Sequence, residues 1–403
     1  MLLKTAVSPS STFHNNKKTG KGLDMLKSFS AAQLDMISLW YLVQHSLPSF
    51  YKIRQHYSHL GDALHPDQAP IWQALGIHAN HVQRLKEFEL EASQQKFQQS
   101  LQSIQRDSDF ILLDSDPHYP QQLSPYNDRP PILFGQGRPD CLLQAQIALV
   151  GSRKPSAHGR QVAYDFASYL SEQGFYINSG LAQGIDETAH RAGLQQQGTI
   201  AVMGTGLDQT YPAQHQQLRQ QIITEGGAVI SEFLPNTPPL QHHFPRRNRI
   251  VSGLSLGIIV AEATLKSGSL ITAKLAAEQG KTVFAIPGHI YSEHHQGCHQ
   301  LIREGAILVD HPEQVIEDLA LPTQWQALQN SIKNETAVHE PSYIPQHLIS
   351  LYNQLDWVGQ DLDHLSSQLR QDVATLTSQL MELELLGFST QQAGMYLRCR
   401  VLK

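Results

Sequence analysis

The chain has 403 residues, a hydrophobic content of 40% and a formal net charge of −6. This length predicts two or three domains, and no stretch has the roughly 18 consecutive apolar residues of a membrane helix, so we expect no membrane association. The three scattered cysteines favour a reducing cytoplasm, and the 21 histidines lack metal-ligand spacing, so we predict neither metal nor cofactor. The acidic balance excludes a basic coat but allows a local basic pocket.

Five segments follow one another along the chain. Residues 1–25 have the composition of a polar, disordered leader. In residues 26–105, apolar side chains recur with a period near 3.6 between Pro and Gly turns, which predicts a small helical domain. We expect it to serve packing or dimerisation rather than catalysis. A main domain at 106–320, a polar linker at 321–346 and a compact module at 347–403 complete the chain.

The main domain alternates short apolar runs with helical patterns. A short strand at 109–113 precedes a connecting segment, 125–139, that is rich in Pro and Gly. Further apolar runs begin at Ile147, Phe175, Thr199, Ala228, Leu256 and Thr282. Such alternation is typical of an α/β, doubly wound and mostly parallel sheet. The loops after its strands are expected to converge on one crevice.

Several segments near these strand ends suit a phosphate group. Gly151-Ser152-Arg153 combines a glycine that allows close approach, a hydroxyl and a forked cation. Arg246-Arg247-Asn248-Arg249 is the most basic run of the domain, for which we favour phosphate binding over a solvated helix start. Lys266-Ser267-Gly268-Ser269-Leu270 opens a helix whose first N–H groups are available to an anion. A phosphodiester backbone is one ligand that fits this repetition.

No catalytic constellation is predicted. The serines of these loops have no His and Asp whose proximity the sequence guarantees. Glu232 and Glu262 end two strands. The sequence leaves three roles open for them: a carboxylate pair, capping, or binding of a ribose hydroxyl. Asp186 stands in the first turn of a helix, and capping is favoured there over a substrate contact. The sequence therefore favours binding over catalysis.

Taken in order, these motifs strongly resemble the bacterial DNA-processing protein A family (DprA, also called Smf) over roughly 109–319. The matching segments are Gly151–Arg153, Ser179–Asp186, Gly204–Asp208, Phe244–Arg249, Ser267–Ala273, Phe284–Gly288 and Leu301–Ala306. The resemblance implies an extended Rossmann-like fold, with a SAM-like N-terminal helical domain and a C-terminal winged-helix-like domain. It further implies a single-stranded DNA-binding protein of natural transformation, active as a homodimer. Such a protein protects incoming DNA and loads RecA without ATP consumption, and it is not an enzyme.

The resemblance also implies roles for individual residues. Gly151–Arg153 would clamp the DNA backbone, and Lys266–Leu270 would add a second charge and an apolar base contact. Arg247 and Arg249 would widen the positively charged surface along which the DNA lies. Two positions depart from the family pattern, Gln183, where Arg is frequent, and His299, where Asn is usual. A contact with DNA is in doubt at both.

The C-terminal module has six acidic against four basic residues between 341 and 403. A winged helix normally suggests duplex DNA binding, but this charge balance gives little electrostatic attraction to DNA. A protein-contact or regulatory role is therefore favoured.

Two other functions compete with single-strand binding. The first is a nucleotide-hydrolysing enzyme of the lysine-decarboxylase-like fold group, whose Pro-Gly-Gly-x-Gly-Thr loop is replaced here by Ser267-Gly-Ser-Leu-Ile-Thr272. Release of base from nucleoside monophosphates would identify that enzyme. The second is a scaffold whose glycine loops only shape turns, which would have no affinity for nucleic acid.

Overall fold

A mostly parallel sheet forms the centre of the fold in the computed structural model. The structure describes residues 28–319, 345–355, 360–369, 371–386, 388–392 and 395–398. Nine strands of these residues are ordered β1-β2-β6-β5-β4-β3-β7-β8-β9 across the sheet. They are β1 Phe110–Leu113, β2 Ile132–Gly137, β3 Gln146–Gly151, β4 Tyr176–Ser179, β5 Thr199–Val202, β6 Ala228–Ser231, β7 Gly257–Glu262, β8 Thr282–Ala285 and β9 Ile307–Leu308. The predicted α/β fold is confirmed.

The chain reverses its direction of travel across the sheet between β3 and β7. From β3 it adds β4, β5 and β6 on one side, and it then returns to place β7 beside β3. These neighbours are parallel, with a register shift between Val150 and Gly151. Ligand sites of open α/β sheets lie at such a reversal, outside the carboxyl ends of the strands. The fold therefore places the loops after β3 and β7 side by side.

Helices cover both faces of the sheet, as β3 illustrates. Ile147 and Leu149 share a core cluster with residues of α6 and α7, whereas Ala148 and Val150 pack with residues of α9 and α10. This alternation is the period-two pattern of a strand that is buried on both sides. The helices are α6 Ala157–Glu172, α7 Ile185–Gly193, α8 Gln216–Thr224, α9 His243–Leu254, α10 Ser269–Glu278, α11 Gln296–Arg303 and α12 Pro312–Asp318.

The interpretation of 125–139 as connecting chain is wrong for β2. This strand lies antiparallel between β1 and β6 and extends the parallel sheet at one edge. The glycines of β2 were read from the sequence as turn residues, whereas in the strand they are required because a side chain would not fit. A Cβ at Gly135 would lie 2.0 Å from the Phe110 ring, and Gly137 has a φ of +88°. The two-residue strand β9 was also missed.

The predicted helical region is present and packs directly on the sheet. It contains α1 Ala31–Leu42, α2 Leu47–His56, α3 Ala69–Ala74, α4 Ala79–Lys86 and α5 Glu91–Asp107. Trp40, Phe50 and Trp72 are fully buried in a core cluster that also contains side chains of β1, β2, β5 and β6. The Trp40 indole N–H donates to the Glu232 carbonyl at 2.8 Å. The helices thereby contact the end of β6.

The chain divides into two compact units, residues 1–322 and 323–403. In the described part of the second unit, α13 Ile349–Gln354, α14 Leu362–Leu369 and α15 Val373–Leu385 accompany a hairpin of β10 Ser389–Gln392 and β11 Met395–Arg398. Leucines of the three helices and Phe388 form its core. The winged-helix assignment and the five segment boundaries stay predictions. The leader 1–25 and nearly all of the linker lie outside the described residues, none of whose helices is long and apolar enough to span a membrane.

Candidate nucleic-acid interface

The loop Gly151-Ser152-Arg153 is held where β3 and β7 meet. The Ser152 backbone N–H donates to the Glu262 carbonyl at 2.7 Å. Gly151 has no room for a side chain, because an added Cβ would lie 2.8 Å from the same carbonyl oxygen. The exposed Arg153 guanidinium lies 5.8 Å from the centre of the Phe244 ring. The loop therefore presents a cation from a backbone that is fixed on both sides.

Glu262, the fully buried last residue of β7, braces the chain that follows this loop. Its carboxylate accepts from the Ser156 backbone N–H at 3.0 Å and from the Ser156 hydroxyl at 2.6 Å. The Ser156 oxygen in turn accepts from the Gly159 N–H and caps α6. Glu232, in contrast, binds arginines of α9. The two carboxylates thus bind separate partners and do not pair with each other.

The loop after β4 is organised by buried groups of α7. The Asp186 carboxylate accepts from the backbone N–H groups of Gly180 at 3.1 Å and Ala182 at 3.4 Å. Between them, Leu181 has a φ of +58°, and its N–H donates to His190 Nε2 at 3.3 Å. Burial raises the pKa of Asp186 above its ordinary value. Asp186 therefore braces the loop before α7. It does not cap that helix as the sequence predicted, because the N-cap is Gly184 and no side chain bonds to the first helical N–H groups.

The arginine run lies at the start of α9, and internal partners bind all three guanidiniums. Arg246 forms a bidentate pair with Glu232, at 3.0 and 2.9 Å, and Arg249 binds the same carboxylate at 2.6 Å. Arg247 donates to the carbonyls of Gly180, at 2.6 Å, and Val202. Burial lowers its pKa to about 10, so it stays charged at neutral pH.

These ion pairs argue against the predicted phosphate site at the arginine run. Although burial acts to raise the pKa of Glu232, the charges of Arg249 and Arg246 hold it below its ordinary value. The Glu232 carboxylate offsets one of the two positive charges, and the Asp128 carboxylate lies 3.8 Å from Arg249 Nε, so the two arginines contribute little free positive charge at the surface. Asn248 accepts from Arg247 Nε at 3.1 Å. Phosphate contacts by Arg246, Asn248 and Arg249 stay predictions that this pairing does not favour.

A pocket opens between the strand-end loops and α9. Arg153 comes from the loop after β3, Gln183 from the loop after β4, and Arg247 from α9. The complete lining is Arg153, Gly180, Ala182, Gln183, Tyr211, Pro212, Phe244 and Arg247. The exposed Arg153 guanidinium beside two aromatic rings can bind an anion together with a flat base, whereas the buried Arg247 contributes its charge from behind its carbonyl partners.

The loop after β7 forms the next part of this edge. Lys266 and Gly268 are exposed, Ser269 begins α10, and the hydroxyl oxygens of Ser267 and Ser269 lie 2.7 Å apart. A Cβ added at Gly268 would meet nothing within 4 Å, so the turn faces open space. Leu270 is half-buried against the core. The strand order brings this loop beside Gly151–Arg153, although it does not line the pocket.

Sequence reasoning missed several pocket residues. Tyr211 and Phe244 stand close to glycine-rich or basic motifs in the chain, and this adjacency was the available signal. Their rings are 5.2 Å apart. At the two departures from the family pattern, Gln183 lines the pocket, and His299 Nε2 lies 3.1 Å from the Gly288 carbonyl oxygen. His299 is therefore engaged with backbone.

Comparison with known proteins identifies related chains. A sequence model of the family described as DNA recombination-mediator protein A matches residues 110–320. Protein Smf of Escherichia coli strain K12 is 38% identical over 335 residues, which cover 82% of this chain and 87% of that protein. DNA processing protein DprA of Streptococcus pneumoniae is 46% identical over 216 residues, which cover 53% of this chain and 75% of the relative.

A solved structure agrees with these sequence matches. The X-ray structure of DNA processing protein A (DprA) from Streptococcus pneumoniae aligns with a TM-score of 0.62 and 35% sequence identity. The alignment covers 71% of this chain and 99% of the solved one. The shared part is therefore more than an isolated sheet.

Proposed function

This chain belongs to the DNA recombination-mediator protein A family, and from that membership we propose that it binds single-stranded DNA at the carboxyl ends of its sheet. Its bound DNA is protected and passed to the recombinase RecA during natural transformation. The observation that carries the proposal is the exposed Arg153 guanidinium, which is held by a hydrogen-bonded loop. This guanidinium lines a pocket together with Arg247 and two aromatic rings.

Local charge supports this placement. With a net charge of −6, the chain as a whole repels a polyanion, so an affinity for DNA has to come from a concentrated site. Arg153, Lys154 and Lys266 are exposed in the loops after β3 and β7. Neighbouring strands lie about 4.8 Å apart, so these cations flank one short stretch of the sheet edge. A phosphate backbone that lies across this edge meets them in turn.

Fluorescence anisotropy with labelled oligo-dT over a salt series tests the proposal. We expect Arg153→Glu to weaken binding roughly tenfold to hundredfold and to reduce the salt dependence, because each lost phosphate contact lowers the slope by about 0.7 for single strands. Lys96→Glu makes the same charge change at an exposed position of α5 and serves as the matched control. Binding that is independent of salt, or equal losses in both variants, would contradict the proposal.

Transfer to RecA and a homodimeric state belong to the same proposal and rest on family membership. Sedimentation of the wild-type chain gives its mass in solution, and a mass of one chain contradicts the dimer.

RecA filament formation on single-stranded DNA that carries single-strand-binding protein tests the transfer. We expect the wild-type chain to accelerate it and Arg153→Glu to lose this effect. Acceleration that Arg153→Glu retains would separate RecA loading from the site.

A further inference from the structure

The loop after β8 carries a conspicuously exposed aromatic side chain. Tyr291 is 84% exposed and its neighbour Ile290 is 70% exposed. Among the Phe, Tyr and Trp side chains of the described residues, only Tyr211 and Tyr291 are exposed. Tyr211 follows β5 and lines the Arg153 pocket. Both exposed rings therefore stand on loops at the carboxyl edge of the sheet, where DNA binding is proposed, and an exposed ring there offers its π-face to a base.

Hydrogen bonds give the Tyr291 loop a defined shape. The Ser292 N–H donates to the His289 carbonyl at 2.9 Å, and the Tyr291 N–H donates to His289 Nδ1 at 3.3 Å. At the base of the loop, the His295 ring covers Gly288 so closely that an added Cβ would lie 2.2 Å from it. The backbone of such a turn loses little conformational freedom when a ligand binds to its side chains.

The loop adjoins the proposed DNA site through Glu262. Just beyond the loop, His294 Nδ1 lies 3.3 Å from the Glu262 carboxylate, which also binds Ser156 after the Arg153 loop. The sheet order β5-β4-β3-β7-β8 places the Tyr211 and Tyr291 loops four strand spacings apart. Four spacings amount to about 19 Å, a distance that one extended strand of several nucleotides can span.

We propose that Tyr291 is a base-stacking site at the far end of a single-strand track that runs from the Tyr211 pocket past Arg153. The inference rests on the proposed function and adds to it a contact with a base. Every base has a π-face, so one tyrosine ring serves any sequence. A second copy of this chain is a poorer occupant, because Tyr291 and Ile290 offer far less than the roughly 800 Å² per partner of a stable interface.

Two oligomers of equal length separate base stacking from phosphate binding. One is oligo-dT, and the other has the same phosphodiester backbone with abasic sugars. We expect the wild-type chain to prefer oligo-dT. Tyr291→Ala should weaken oligo-dT binding roughly fivefold to 150-fold, leave abasic binding unchanged and keep the salt slope, because it removes a stacked base and no phosphate contact. Tyr291→Phe keeps the ring and should retain the wild-type affinity.

Controls distinguish this inference from the function on which it rests. Leu90→Ala removes another exposed apolar side chain, at the start of α5, and should alter neither oligomer's binding. Tyr291→Ala binding that equals the wild type, or that falls equally for both oligomers, overturns the stacking site while the Arg153 effect stands. A lower mass in solution for Tyr291→Ala than for the wild type would place the loop in a contact between two copies of the chain and would also overturn the stacking site. Wild-type chain that binds neither oligomer overturns both proposals.

Discussion

A buried histidine makes the stability of the β4 loop depend on pH. His190 Nδ1 lies 2.8 Å from the Thr199 hydroxyl, whose proton is donated to the Ile177 carbonyl. Nδ1 is therefore the donor of this pair, and Nε2 accepts from the Leu181 N–H. Burial, together with the charges of His215 and Arg247, lowers the pKa of His190 from 6.5 to about 3. Protonation of Nε2 would remove the bond that holds Leu181.

The size of the effect follows from that pKa. Below pH 6.5 the unfolded chain binds a proton at His190, whereas the folded chain stays neutral down to about pH 3. The free energy of unfolding therefore falls as the pH is lowered through this window, by about 1.4 kcal/mol per unit. At pH 5 the loss from His190 amounts to about 2 kcal/mol, and above pH 7.5 it vanishes.

The variant His190→Gln isolates this contribution. The amide can accept from the Leu181 N–H and donate to Thr199 but does not titrate. We expect it to be about 1–2 kcal/mol less stable than the wild type at pH 8, because its packing and hydrogen bonds are imperfect. Between pH 8 and pH 5 this deficit should shrink by about 2 kcal/mol, since only the wild type loses the His190 contribution. Urea unfolding followed by circular dichroism measures both quantities.

A non-titrating variant completes the design. Ile185→Val lies in the same helix, is fully buried, and should cost about 0.5–1.5 kcal/mol at every pH. Its stability profile should run parallel to that of the wild type. If the His190→Gln profile is parallel as well, the folded protein takes up a proton at His190 near pH 6.5, and the reasoning from burial is refuted.

Two further perturbations test the contacts around α9. Glu232→Gln should lower the free energy of unfolding by about 3–5 kcal/mol, because it removes the buried counter-charge of Arg249 and leaves only the exposed Asp128 carboxylate, 3.8 Å away. Urea unfolding at pH 7 measures this loss. A cost below 1 kcal/mol would show that water reaches that guanidinium. Gly180→Ala would place a Cβ 2.5 Å from Arg247 Nη2, and we expect a loss of about 1–3 kcal/mol together with weaker single-strand binding. Gly268→Ala, where a Cβ meets nothing within 4 Å, is its matched stability control, and equal stability losses would contradict the steric argument.

The parallel strands β3 to β8 were predictable because each is a local pattern. The runs from Ile147, Phe175 and Leu256 are apolar without alternation, since both faces of these strands are buried under helices. The strand β2 escaped prediction for the opposite reason. Gly135 and Gly137 looked like turn residues, and their need to avoid the Phe110 ring and to adopt a positive φ arises only once β1 and β6 lie alongside.

The candidate site shows the same division. Gly151–Arg153 and Lys266–Leu270 were recognised because a glycine loop between a strand and a helix is a contiguous signal for an anion site. Their neighbourhood on the sheet follows from the reversal between β3 and β7. The pocket itself collects Arg153, Gln183 and Tyr211 from loops that are separated in the chain. No local pattern predicts such a set.

The sequence by itself determined the succession of the strands β3 to β8 and their helices, the glycine loops at the strand ends and the family to which the chain belongs. These features depend on residues that are neighbours in the chain. Only the tertiary structure decided which cations face solvent. Arg246 and Arg249 turn inward because β6 places the Glu232 carboxylate, fully buried, beneath α9, whereas the loop before α6 leaves Arg153 exposed. The sequence does not show whether a charged side chain points to solvent or into an ion pair, because its partner is brought close from a distant part of the chain only by folding.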